Sequence, residues 1–385
     1  MKQQGAVLVA ALFLAIPTIL PVPLQDDQGS RSKSFTVTKG GSVEVSVDGG
    51  DIRINVWEKS EVYVKADGID EDNLDRLKMN QSGNTVRVEY RQRWGWGSGH
   101  TKFEITVPSQ FNTDLRTSGG NIDIRGSLNG VVKGSTSGGD VTLSDVTTGK
   151  VDLSTSGGDM RAGDVNGDVS LKTSGGDIEL GKVGGQVYVN TSGGNIRVES
   201  VGKTLKASTS GGDIDIGDVG GEANVSTSGG DIKVHKVSGK ATLNTSGGNI
   251  QLRSASGDVR ANTSGGDIRL EDISGSIEAK TSGGDVNAEL KPTGKGRSRL
   301  VSSGGEITLS IPESAKATIE ATIRIQGRWK SRRDEYTVRS DFKAESYQHD
   351  DDDREIRARY VLNGGGEEIS LETVNSDIII RKLRR

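Results

Sequence analysis

Along the middle of the chain apolar residues fall in pairs two apart. Examples are Val151 and Leu153, Val169 and Leu171, Val187 and Val189, and Ile277 and Ala279. A second set follows each polar break: Ile178 and Leu180, Ile214 and Ile216, Ile232 and Val234, Ile268 and Leu270. Spacing of two is strand alternation, with one side chain inward and the next outward. A fifth apolar position closes each unit: Val146, Val165, Val183, Val201, Val219, Val237, Ala255, Ile273. The pattern predicts two short strands per unit, separated by two turns.

The units are locked together by a repeated tetrad. Thr-Ser-Gly-Gly begins at Thr117, Thr136, Thr155, Thr173, Thr191, Thr209, Thr227, Thr245, Thr263 and Thr281, so the interval is 19 residues twice and 18 thereafter. A short fixed period is the signature of a solenoid whose coils stack on their neighbours. The expected fold is therefore all-β: a parallel β-solenoid of about 18 residues per coil, with irregular coils at both ends. Stacked coils lie ~4.8 Å apart, and each inward aliphatic contributes about 1.5–3 kcal/mol on burial.

Glycine marks one turn of every coil, at Gly119 and Gly120, Gly138 and Gly139, Gly157 and Gly158, Gly175 and Gly176, and Gly193 and Gly194. The series continues at Gly211 and Gly212, Gly229 and Gly230, Gly247 and Gly248, Gly265 and Gly266, and Gly283 and Gly284. Positive φ, or close passage to the next coil, explains glycine there. The template decays outward. Val43, Val45 and Val47 precede Asp48-Gly49-Gly50-Asp51-Ile52, and Ser302-Ser303-Gly304-Gly305 continues the far side. Leu77, Met79 and Gln81-Ser82-Gly83-Asn84-Thr85-Val86 fit more loosely, and Ile369, Leu371 and Thr373 give the closing coil. Residues 57–76, 89–112 and 312–363 read as interruptions. The division is 1–24, 30–115 (irregular coils or cap), 116–311 (regular repeats) and 312–385 (insertion and closing coil). A separate N-terminal β-sandwich is the alternative for the second part.

Composition narrows the function classes. The 385 residues carry a formal net charge of -4 with both signs interspersed, and aromatics make up 4%. This balance excludes a basic nucleic-acid footprint. There is no cysteine, hence no disulfide framework, thiolate metal site or cysteine nucleophile. Lys2 followed by the apolar run Gly5 to Leu20 reads as an export signal, cleaved near Gln25 or kept as an anchor. No later stretch is apolar enough to span a bilayer.

Four features are candidates for chemistry. The first is an acidic column after the glycine pairs: Asp140, Asp159, Asp177, Asp213, Asp231 and Asp267, with Asn121, Asn195 and Asn249 in the same file. It fits turn capping. It also fits calcium, as in nonapeptide β-rolls, although those place Asp after Gly-Gly-x-Gly-x. The second is the Thr column, whose parity points inward, toward backbone hydrogen bonds. The third is the glycine-rich segment around Trp94, Trp96 and His100, suited to stacking on sugar rings or a partner, or to covering an open coil end. The fourth is the outward strand file from Asp123 to Arg269, in which no sign dominates. His100, His235 and His349 are too scattered for metal-ligand spacing. No catalytic constellation emerges, so the expectation is a non-enzymatic protein without a cofactor. A polysaccharide-active enzyme with its site near His100 is one alternative, and a calcium-stabilised roll is another.

Gly49-Gly50-Asp51-Ile52-Arg53-Ile54-Asn55-Val56-Trp57, Val107-Pro108, the Thr-Ser-Gly-Gly-Asp-Ile series and Ser376-Asp377-Ile378-Ile379-Ile380 together resemble the bacterial putative-adhesin domain family of unknown function. The resemblance covers nearly the whole chain after the export signal. It implies an extracytoplasmic β-solenoid and supplies no catalytic or ligand residues. The regular repeat without a catalytic constellation adds the expectation of a cell-surface or envelope component, protein or polysaccharide, as partner.

Overall fold

A computed structural model describes residues 30–91, 101–293, 296–326, 336–350 and 354–383. One regular coil shows how the sequence becomes structure. Leu205–Ser208 is a strand with Leu205 and Ala207 inward; the corner Thr209 to Asp213 follows; Ile214–Val219 is the second strand. Each strand pairs in parallel with the residue one coil on, so Ile214 lies against Ile232 and Ile216 against Val234. Like stacks on like, and the aliphatic columns become continuous.

The second strand does not run straight. After Ile216 the ladder skips Gly217 and resumes with Asp218 against Lys236 and Val219 against Val237. That one-residue step returns Val219 to the inside, and Val219 is 1% exposed. It explains why the fifth apolar column breaks the alternation of two. In earlier coils the same line is a separate short ladder, Leu128–Asn129 against Val146–Thr148, continued by bridges to Val165 and Val183. The core between the two sheets is narrow and aliphatic. Its buried aromatic residues, Phe35, Tyr90, Phe103, Phe111 and Tyr360, all belong to the ends.

The ends depart from the expected order of coils. Gly41–Val47 pairs with Thr85–Tyr90 on one side and Phe111–Thr117 on the other, and Asp51–Trp57 sits likewise between Lys102–Pro108 and Ile122–Arg125. The first coil in sequence is thus the second in the stack. The other end repeats the device. Glu367–Val374 lies between Arg297–Ser302 and Ala317–Arg324, and Ile378–Lys382 between Ile307–Ile311 and Val338–Ser340. A chain terminus normally frays. Here the coil nearest each terminus is held by ladders on both sides.

Beyond these coils the pairing turns antiparallel. Arg31–Thr36 joins Glu61–Asp67, which joins Lys102–Pro108. At the far end Ala317–Arg324 joins Glu355–Leu362, which joins Ser346–Asp350. Among the described residues both sheets are open series in which each outermost strand has one partner. Short, charged edge strands of this kind discourage pairing with another chain. Two sequence readings change as a result. Leu77–Ser82 is not a loose coil strand but one arm of a hairpin with Thr85–Tyr90, turned at Gly83 with φ of 59°. The supposed interruptions hold coil strands of their own, Lys102–Pro108 and Ala317–Arg324.

Candidate functional site

The corner is the most repeated chemistry in the molecule, so its geometry decides what it is for. Thr209 is 7% exposed. Its Oγ1 donates to the Gly194 carbonyl of the preceding coil at 2.9 Å and accepts from the Gly212 N–H at 3.4 Å. The same pair of bonds recurs at Thr136, Thr155, Thr173, Thr191, Thr227, Thr245, Thr263 and Thr281. Thr117 reaches the Gly50 carbonyl and Thr373 the Gly305 carbonyl, so the atypical coils share the ladder.

The two glycines of each pair differ. A Cβ on Gly212 would lie 2.2 Å from the Gly194 carbonyl oxygen, a distance no side chain tolerates. One on Gly211 would lie 3.3 Å from the Gly193 oxygen, which needs only a small adjustment. Positive φ is recorded at neither. Close approach of successive coils therefore explains the second glycine, and the left-handed backbone that the sequence also suggested plays no part.

The acidic column is a chain of turn caps. The Asp213 Oδ1 accepts the Asp231 N–H at 2.8 Å, and the Asp231 Oδ1 accepts the Asn249 N–H at 2.7 Å. Asp140, Asp159, Asp177 and Asp267 do the same for the next coil, and Asn195 and Asn249 substitute without loss because an amide oxygen accepts equally well. The series runs from Asp51 to Glu306. Among the described residues no group of three or more His, Asp or Glu side chains is arranged to hold a metal ion.

The Thr hydroxyls and one oxygen of each Asp are turned to backbone bonding, while the Ser of each corner stays exposed; the remaining exposed chemistry of the coils lies on the two outward sheet faces. On the second-strand face, register places Arg161 beside Glu179, Glu179 beside Arg197, Arg197 beside Asp215, and Asp215 beside Lys233. The signs alternate, each charge flanked by its opposite, which is favourable across neighbouring strands. Arg161 pairs with Asp159 at 3.0 Å and approaches Glu179 at 3.8 Å. Gly163, Gly181 and Gly217 leave a groove of about 610 Å³ alongside this file. At its margin the hydrogen-bonded Glu199 carboxylate pushes the Lys182 ammonium pKa up.

Residues 41–220 and 203–325 match the Toastrack DUF4097 domain family, well over half of the chain. The chain belongs to the Toastrack family. This is the domain family of unknown function to which the repeat pointed. Three solved structures are similar to the Toastrack chain. A putative adhesin from Parabacteroides distasonis is 17% identical, with 66% of this chain and 98% of that one covered and a TM-score of 0.35. A putative adhesin from Parabacteroides merdae is 16% identical, with coverages of 68% and 96% and a TM-score of 0.30. A putative adhesin from Bacteroides fragilis is 13% identical, with coverages of 74% and 98% and a TM-score of 0.26. At these values the similarity adds no weight to a functional reading. No curated protein matches the chain.

Trp94, Trp96 and His100 of this Toastrack chain lie outside the described residues, as do residues 1–29 with the export signal. Among the described residues no helix is long and apolar enough to cross a membrane. His235 is exposed and its Nδ1 lies 2.5 Å from the Asp218 carboxylate. Sequence reasoning missed a second set of caps at the other corners: Asp164 holds the Lys182 N–H at 2.8 Å, Asp168 the Gln186 N–H at 2.9 Å, and Asp258 the Ser276 N–H at 3.0 Å. The Ser276 hydroxyl and N–H hold the Asp258 carboxyl below its usual range, and Lys291 does the same for Asp272. It also missed Glu367. That side chain is 2% exposed and accepts the Ser298 hydroxyl at 2.7 Å, and burial pushes its pKa up. The available signal was a carboxylate two residues before Ile369 and four before Leu371, at their inward parity.

Proposed function

We propose that this protein is a non-enzymatic, extracytoplasmic rod that attaches to a cell-surface or envelope component, protein or polysaccharide, through its outward sheet faces. The reading rests on one observation. The Thr, Gly and Asp columns, the most repeated polar groups in the sequence, are directed at the backbone of the adjoining coil. Besides the exposed corner serines, the repeat presents two long, regular faces to solvent, and a function of presentation suits such a body. The apolar run at residues 5–20 supports export, and the corner hydrogen bonds account for the Thr and Asp columns without invoking a cofactor.

The test is saturable binding of the purified chain to a panel of bacterial and plant polysaccharides and to intact cells, with product analysis on every positive. Reproducible binding without released product is the expected result. Turnover of any glycan, lost on His100→Ala, overturns the non-enzymatic reading and points to the segment around Trp94, Trp96 and His100.

A further inference from the structure

The two outward faces differ in charge, and the difference singles out one of them. Six successive strands of the first-strand sheet are Val169–Lys172, Val187–Asn190, Leu205–Ser208, Ala223–Ser226, Ala241–Asn244 and Val259–Asn262. None places Asp or Glu at an outward position; Ser, Asn, Thr and Lys dominate instead. Over the same coils the opposite face carries Glu179, Arg197, Asp215 and Lys233 in turn, and continues with Gln251 and Arg269.

Within this carboxylate-free stretch, bounded on the same face by Asp152 and Glu278, stands Tyr188, 36% exposed and far from the aromatic clusters at the ends. Lys172, from the coil before, brings its Nζ to 5.3 Å from the ring centroid; Lys206, from the coil after, brings its own to 5.6 Å. Cations at that distance are attracted by the ring quadrupole. Neither lysine forms an ion pair with a described residue, whereas Arg260 on the same face is paired with Glu278. Beside them Ser208 donates to Asn190 at 2.7 Å, beginning a row of hydroxyl and amide groups on the following coils. Asp168 and Glu222 mark the corner that bounds the patch, and the Asp168 Oδ1 is engaged by the Gln186 N–H.

We propose that this face binds an acidic polysaccharide. Lys172 and Lys206, held apart by the Tyr188 ring, take carboxylates on successive parts of the polymer, and the Asn and Ser rows take its hydroxyls. The proposal rests on the adhesion reading above and names the partner's chemistry. A nucleic acid or an anionic membrane fits less well. Two uncommitted ammonium groups over six coils are few for a dense run of phosphates, and the chain's formal net charge is -4.

Calorimetric titration of the full chain with polygalacturonate, alginate and hyaluronate, and with methyl-esterified polygalacturonate, provides the test. The wild type should bind at least one uronate polymer, more weakly as salt is raised, and the ester at least tenfold more weakly. Lys172→Gln with Lys206→Gln should cost at least tenfold in affinity with an unchanged melting transition, and Tyr188→Ala at least threefold. Uronate binding that is equal in the wild type and the double variant overturns the proposal, as does a preference for the ester. If that variant or a wild type blind to all three uronates still binds cells or another glycan, the adhesion reading stands and its contact lies elsewhere. No saturable binding of either protein to any glycan or cell overturns both. Tighter, lysine-dependent binding of duplex DNA overturns the choice of partner.

Discussion

The regular coils and the end coils solve the same problem in different ways. A coil in the middle needs only to match its neighbour, so one corner serves ten times: Thr bonds a glycine carbonyl, the second Gly admits the next coil, and Asp or Asn caps the next N–H. An outermost coil has a coil to match on one side only. It relies on particular residues instead: Phe103 tilted against Tyr90 with ring centroids 5.7 Å apart, a terminal coil inserted between two others, and antiparallel strands along the edge. Repetition tolerates few residue types at the corner and many on the faces, whereas closure tolerates neither order nor composition shared with the rest.

Breaking the middle should have the largest effect. Gly212→Ala puts a Cβ against the Gly194 carbonyl and should cost on the order of 4–5 kcal/mol, the tail of single-site effects. Gly211→Ala, one residue earlier and without a positive φ, should change stability by no more than about 1 kcal/mol, because the smaller freedom of the unfolded chain offsets the tight contact. Denaturant unfolding of the two variants separates them, and equal losses would break the distinction between the two glycines. Coils touch only their neighbours, so the Gly212 variant should also unfold in two steps.

Phe103→Ala should follow, at about 3–5 kcal/mol for a large buried ring. The loss should appear as early exchange of amides in Gly41–Val47 and Lys102–Pro108, with the central coils still protected. Loss of protection throughout would mean that the ends and the middle are one cooperative unit.

Thr209→Val keeps the shape and removes two backbone bonds, for an expected loss of about 1–3 kcal/mol. Ser210→Ala, exposed beside it, should stay within about 0.5 kcal/mol. Similar losses from both would remove the inward assignment of threonine.

A smaller effect is expected at Glu367, where the inserted closing coil meets Ser298. Its folded pKa is raised by burial above the unfolded value of about 4.3. The stability this group contributes is therefore complete below that value and is lost as pH rises through the folded pKa. Glu367→Gln should flatten this part of the stability–pH profile and gain on the wild type toward neutral pH. A wild-type profile that rises over the same range would contradict the buried, raised carboxyl.

The middle was legible because periodicity repeats its evidence. Thr, Gly and Asp columns at fixed offsets show parity, turns and core before any coordinate is known. The ends were not, because coil order there depends on partners distant in sequence. Nothing local in Gly41–Val47 says that it lies between Thr85–Tyr90 and Phe111–Thr117. The hairpin at Gly83 mimicked a coil corner for the same reason: Ser-Gly-Asn is good turn chemistry in either setting. The candidate surface was half legible. Lys172, Tyr188 and Lys206 stood in the sequence at 16- and 18-residue spacings, but only the register brings both lysines to one ring.

The most direct test of the corner is the pair Asp213→Asn and Asp231→Asn in one chain, melted with calcium and with a chelator. Asn already caps this ladder at Asn195 and Asn249. The account predicts a melting temperature equal to the wild type or slightly higher, since two neighbouring carboxylates no longer repel by about 1 kcal/mol, and no response to the chelator in either protein. A wild-type transition that falls in the chelator, and a variant that has lost that response, would show that the column holds cations and contradict the account.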